Sequence, residues 1–273
     1  MCAQSRTLLP MRLSFLALSL LTISLGACAA PSDDEAPAGD PSGADTSSDA
    51  IVEGKETFAR PEVGAFWHGN GLCTGTLIRP NVVLTAMHCT GLAVDQDVSG
   101  AAPAYHFVIK KSARGSERYD FKIDRLHAIA TLADMNGSSS WRARDIALLR
   151  LTTDVPATVA RPAAIATAWP RLGSTVSVFG YGCVSRTPGA DGHRPGAGLK
   201  RTRDYSWTLG LATGWTDTTS SCPGDSGGPL LDGDRNAVVG TASGYSGNDD
   251  FWGDVPANSA AVTAIAAKWW PRR

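Results

Sequence analysis

The chain lacks most of the features that assign a function quickly. It has no CxxC pair and no His-x-Glu spacing, and charge nearly cancels at −1 over 273 residues. Without paired ligand spacings, a bound metal is not expected. Near-neutrality argues against nucleic acid or an anionic membrane surface as partner. No internal repeat is visible. The apolar run Leu13 to Ala27 is too short for a membrane span. Residues 29 to 50 contain no aromatic residue, Lys or Arg, but do carry Asp33, Asp34, Glu35, Asp40, Asp45 and Asp49. Such a segment cannot bury enough apolar surface to offset its ordering entropy, so it reads as an acidic tether or propeptide. Residues 51 to 273 then hold 20 acidic and 23 basic side chains, a bias too weak to name a substrate.

Other features are plentiful. Hydrophobic residues make up 43% of the chain, with 29 glycines and 16 prolines, which favours many short strands joined by turns. Strands are expected at Leu72 to Ile78, Val82 to Ala86, His106 to Lys110, Ile146 to Leu151, Thr175 to Phe179 and Ala237 to Thr241. The Ala-rich segment Asn258 to Trp270 reads as a helix, with Asn258 or Ser259 as N-cap and Pro271 after it. The Gly/Pro-rich stretch Val184 to Leu199 reads as an exposed loop.

The beginning of the chain reads as an address. Arg6 and Arg12 precede the apolar run, and small residues end it. That is the layout of a secretory signal over residues 1–28, starting at Met1 or at Met11. Leu25-Gly26-Ala27-Cys28 resembles a bacterial lipobox, whose cysteine carries a lipid after cleavage. The plainer alternative is an ordinary signal with a chance cysteine.

Three separated segments carry chemistry. Cys222-Pro223-Gly224-Asp225-Ser226-Gly227-Gly228-Pro229 sets one serine among glycines beside a carboxylate. Leu84-Thr85-Ala86-Met87-His88-Cys89 supplies a base, and Asp145-Ile146-Ala147-Leu148-Leu149 a second carboxylate. Gly224-x-Ser226-x-Gly228 also fits the nucleophile elbow of α/β-hydrolases, but that elbow needs a histidine after the serine. His68, His88, His106, His127 and His193 all precede Ser226, which excludes it.

Together the segments resemble the trypsin/chymotrypsin family of serine endopeptidases, with His, Asp and Ser in that family's chain order. The resemblance spans nearly all of residues 51–273. It implies an all-β fold of two six-stranded antiparallel β-barrels with a C-terminal α-helix. It also implies His88, Asp145 and Ser226 as the triad, and the amides of Gly224 and Ser226 as oxyanion donors. Ile51-Val52-Glu53-Gly54 is similar to the mature start of such enzymes, which implies a zymogen cut after Ala50 and an ion pair between the freed Ile51 ammonium and Asp225. Ala50 departs from the usual Lys or Arg, so another protease is expected to make the cut. Cys73 and Cys89 match the family bridge beside the histidine. The usual partner of Cys222, just after Ser243, is missing, which leaves Cys183 as the expected one.

Specificity is less legible. Ser220, six residues before the nucleophile, resembles the chymotrypsin arrangement for large apolar side chains. Ser243 matches the family serine that supports the aspartate and offers backbone to the substrate, but Ser243-Gly244-Tyr245 departs from the family's Ser-Trp-Gly, and Tyr245 is placed to narrow the pocket and favour small residues. Asp250 falls on the pocket wall, where it either recruits Arg or Lys or, with Asp249, forms a solvated turn. The family implies protein or peptide substrates, no cofactor, an extracytoplasmic location and a monomer, with membrane attachment where Cys28 is lipidated. The rival reading is a non-catalytic binding or adhesion protein on the same fold.

Overall fold

The computed structural model describes residues 55–91, 94–111, 117–130, 143–171, 174–182, 201–206, 215–216, 221–233, 236–246 and 249–270. The signal and tether, Cys28, Ile51, Cys183, the loop at 184–199 and Ser220 lie outside them. All described residues belong to one unit, Thr46–Arg273.

The first half of that unit contains β1 (Lys55–Glu56), β2 (Val63–His68), β3 (Gly71–Arg79), β4 (Val82–Thr85), β5 (Gln96–Asp97), β6 (Tyr105–Lys110), β7 (Arg118–Ala128) and β8 (Ala147–Leu151). Seven of these form one antiparallel sheet in the order β5-β7-β6-β2-β3-β4-β8. β7 pairs with β8 as well, so six of the strands close into a barrel. The second half contains β9 (Ala164–Ile165), β10 (Thr175–Gly180), β11 (Arg201–Ser206), β12 (Trp215–Thr216), β13 (Pro229–Asp232), β14 (Ala237–Ser246) and β15 (Asp249–Asp254), followed by helix α1 (Val255–Trp269). Its sheet runs β1-β11-β10-β13-β14-β15-β12, with β9 added parallel to β14. Six strands, β10 to β15, lie in this second sheet, where the second barrel is expected. Among the described residues no pairing joins β11 to β12 to close it.

Many of these strands are apolar on both faces because each face meets a different core. On β4, Val83 points into the closed barrel with Phe66, Leu77, Phe107 and Leu149. Its neighbours Val82 and Leu84 point outward, into a cluster shared with Phe179, Tyr181, Leu231 and the helix residues Val262 and Trp269. The same alternation places Leu149 inside and Leu148 outside on β8. In the second sheet, Leu230 joins Val176, Val239 and Trp252, while Leu231 joins the shared cluster. A fully buried leucine or valine contributes about 1.5–3 kcal/mol, so the shared cluster is a substantial bond between the sheets.

Two local expectations need correcting. The helix starts at Val255 rather than Asn258, because Asp254 is the cap: its carboxylate accepts from the Ala257 amide at 2.9 Å. Pro256 is tolerated in the first turn, where its missing N–H costs nothing. Asp249 and Asp250 are strand rather than turn: they open β15, and Asp250 is fully buried opposite Tyr245.

Candidate active site

Each expected triad residue is delivered by a different local device. β4 ends at Thr85, and a short 3₁₀ turn, Met87–Thr90, carries His88. Met87, Cys89 and Thr90 are buried, so the turn is anchored on every side but that of His88. Cys73 on β3 and Cys89 form a disulfide that ties the turn to the barrel. Cys73, His88 and Cys89 offer donor atoms within 4.8 Å of one another, but two disulfide sulfurs are not thiolate ligands, and the group does not fit a metal. Asp145 sits in a tight turn closed by Ile146 N–H on the Arg144 carbonyl at 2.7 Å, just before β8.

The two meet closely. His88 Nδ1 lies 2.7 Å from Asp145 Oδ2, and the His88 amide donates to Oδ1 at 3.0 Å. Asp145 is wholly buried, whereas the His88 side chain keeps 30% of its surface exposed. The Ser243 hydroxyl donates to Oδ2 at 2.6 Å, and Thr241 Oγ1 donates to the Asp145 carbonyl at 2.9 Å. Ser243 reaches the carboxylate because it is the extra residue of a bulge: Ala242 pairs with Trp252 and Gly244 with Phe251, leaving Ser243 between them.

Ser226 lies in the loop before β13. Its carbonyl accepts from the Thr74 amide at 2.8 Å and lies 3.7 Å from Cys89 Sγ, next in sequence to His88. Its hydroxyl has no hydrogen-bond partner among the described residues, and the same is true of the Gly224 and Ser226 amides. Gly224 is buried and Ser226 partly so, and their two amides stand free on either side of Asp225. Asp225, between them, turns inward and is fully buried. It accepts from the Gly182 amide at 2.7 Å and the Cys222 amide at 3.0 Å. A Cβ on Gly182 would lie 2.5 Å from that carboxyl carbon, so only glycine lets the backbone come so near.

This fold is shared with known proteases. The trypsin family model matches residues 51–266. The chain belongs to the trypsin family. Its curated relatives include mouse Kallikrein 1-related peptidase b22, 28% identical over 228 residues, covering 76% of this chain and 79% of the relative. Another is the Inactive snake venom serine proteinase 13 of Crotalus adamanteus, 28% identical over 217 residues and covering 72% of each. Among solved structures, neuropsin, a serine protease of mouse brain, superposes with a TM-score of 0.62 at 18% identity, covering 79% of this chain and all of neuropsin.

Beside Ser226 this trypsin-family chain has a cavity of about 210 Å³, lined by Ser221, Cys222, Pro223, Ser226, Ala242, Gly244 and Tyr245. Tyr245 is 42% exposed. Asp250 lies behind this lining, where its carboxylate takes the Ser221 amide at 3.1 Å. Cys222 is disulfide-bonded. Among the described residues, no helix is long and apolar enough to cross a membrane.

Several contributors escaped the sequence reading. His68, on β2, is held below its ordinary pKa by burial and by the charge of His88. Thr74 and Thr85 are fully buried threonines that touch the nucleophile loop or the strand beneath it. Nothing in their sequence context separates them from ordinary strand threonines.

Proposed function

We propose that residues 51–273 are a secreted serine endopeptidase that cleaves peptide bonds through an acyl-enzyme. The observation that carries this reading is the buried Asp145 carboxylate, which binds His88 Nδ1 and the Ser243 hydroxyl through one oxygen. A carboxylate on Nδ1 holds the proton there and leaves Nε2 as the base. Ser226 Oγ then attacks the substrate carbonyl carbon as His88 Nε2 takes its proton. The oxyanion formed accepts from the Gly224 and Ser226 amides, each such donor contributing about 3 kcal/mol. Collapse breaks the C–N bond, and the amine leaves with the proton from His88. Water repeats the cycle on the ester, releasing the acid and restoring Ser226.

The same reading covers maturation. Cleavage after Ala50 frees the Ile51 ammonium, which pairs with buried Asp225 and steadies the loop at Gly224. Cys183 pairs with Cys222. The signal at 1–28 exports the chain; where Cys28 is lipidated, residues 29–50 tether the uncut zymogen to a membrane, and otherwise they are a propeptide, lost in either case at the cut after Ala50. The mature protein acts as a monomer without a cofactor. Ser220, Ser243, Gly244, Tyr245 and Asp250 form the substrate site, and the side chain before the scissile bond is large and apolar, small, or basic according to whether Ser220, Tyr245 or Asp250 sets the choice.

The test is labelling by a serine-directed phosphonate after cleavage at Ala50, read by mass spectrometry. One adduct on Ser226 is expected, with hydrolysis of a peptide library falling by a factor of order 10⁶ in Ser226→Ala. Correctly processed protein that neither labels nor hydrolyses any library member would overturn the reading. It would favour the rival, a non-catalytic binding or adhesion protein; loss of activity has a precedent in the inactive venom relative.

A further inference from the structure

We infer that Thr74 is a positioning residue for the oxyanion donors, acting through its side-chain hydroxyl. The inference rests on the proposed endopeptidase activity and adds a residue to it.

The nucleophile loop has an unusual division of labour. Asp225 donates its amide to the Cys222 carbonyl at 3.0 Å, Gly227 to Ala242 at 2.8 Å and Gly228 to Asp225 at 2.8 Å. Among the described residues only the Gly224 and Ser226 amides in this run have no acceptor. Their carbonyls, by contrast, are both taken by one residue. Thr74 Oγ1 donates to Gly224 O at 2.8 Å, and the Thr74 amide donates to Ser226 O at 2.8 Å. The two residues whose N–H groups are left over are the two whose C=O groups Thr74 holds.

That coincidence has a mechanical meaning. The Gly224–Asp225 peptide is pinned at both ends, by Thr74 Oγ1 on its oxygen and by Cys222 O on its N–H. Gly224 has φ +103, so a wide range of backbone angles is open to it, and a fixed plane on its C-terminal side limits where its own amide turns. Donors aimed at a developing oxyanion work because they need no reorganisation at the moment of reaction. A hydroxyl that fixes the peptide plane lying between those of the two donors therefore acts on the transition state more than on substrate binding.

The hydroxyl is itself held in place. It accepts from the Tyr181 amide at 3.0 Å, so its proton is directed at Gly224 O. The Thr74 carbonyl takes the Thr85 hydroxyl at 2.8 Å. Thr74 and Thr85 are both fully buried, and they lie on adjacent barrel strands. β4 ends at Thr85, three residues before His88. The brace thus runs from the strand leading to the base, through Thr74, to the loop of the nucleophile.

The experiment compares processed wild type with Thr74→Val, Thr74→Ser and Thr85→Val. It measures kcat and KM on one peptide substrate, the affinity of a peptide boronate that forms a tetrahedral adduct, and Tm. Thr74→Val keeps the shape and the backbone amide and loses the hydroxyl. Its kcat is expected to fall about 10- to 100-fold with KM changed less than about twofold, and boronate affinity to fall in step with kcat. Thr74→Ser is expected to restore kcat to within about threefold of wild type. Thr85→Val leaves Thr74 intact and is expected to show the same pattern at about 3- to 10-fold, which keeps the test decisive if Thr74→Val does not fold. Active wild type with unchanged kcat in folded Thr74→Val overturns this inference alone. So does a Thr74→Ser variant as slow as Thr74→Val, or a Thr85→Val variant with wild-type kcat when Thr74→Val is unfolded. Wild type with no hydrolysis of any substrate overturns the endopeptidase reading as well.

Discussion

Ser243 Oγ and His88 Nδ1 converge on one oxygen of the fully buried Asp145, at 2.6 and 2.7 Å. Both donors aim at Oδ2, while Oδ1 takes the His88 amide at 3.0 Å. The carboxylate is thereby oriented from three directions, and through it the imidazole.

Asp145→Asn tests that arrangement. An amide nitrogen in place of either oxygen meets a donor, and His88 is pushed to the tautomer with its proton on Nε2. In chymotrypsin-type triads the equivalent change costs about 10⁴ in kcat. We expect a loss of that order at nearly unchanged KM and Tm. Steady-state kinetics with a loss under about tenfold would show that Asp145 does not orient the base.

Gly227→Ala tests the packing of the nucleophile loop against the barrel. Gly227 has φ +80, and a Cβ there would lie 2.1 Å from Thr85 Oγ1 and 2.5 Å from the Thr74 carbonyl. Backbone strain and overpacking together are expected to cost about 3 kcal/mol, read as a lower denaturant midpoint. Gly91→Ala is the control. It has φ +66 but nothing within 4 Å of its Cβ position, and a cost of about 1–2 kcal/mol is expected. Equal costs for the two variants would refute the contact argument.

His68→Gln tests a pH dependence. Burial first, and then the charge of His88, lower the pKa of His68 in the folded chain. The unfolded chain therefore binds this proton more readily. The stabilising contribution is complete above the ordinary histidine pKa and is lost as pH falls through the lower folded value. Between pH 7 and pH 5, Tm is expected to fall less in His68→Gln than in wild type. Parallel Tm profiles over that window would remove His68 from the acid response.

Much of the fold was legible because its strands are buried on both faces. β4 and β8 read as short apolar runs between turns, and the structure places alternate residues of each in two cores. The helix start was misjudged for a local reason: Val255-Pro256 looks like the end of a strand until Asp254 is seen to cap the first turn. The three segments bearing His88, Asp145 and Ser226 were legible as short motifs. The support of Asp145 by Ser243, 98 residues away, was legible from the family resemblance. The Thr74 contact was not: it touches Gly224 across 150 residues of sequence, and a buried strand threonine looks the same with or without such a contact.

The bulge at Ser243 carries a consequence for how this chain changes over generations. Side chains on β14 alternate between faces, and one surplus residue resets the alternation at the point where a hydroxyl must meet Asp145. Replacing letters around that point alters the cavity beside Tyr245 and leaves the count intact. Adding or removing a single letter shifts every later side chain to the opposite face. Apart from Ser243 itself, this stretch is therefore more open to a change of spelling than to a change of length.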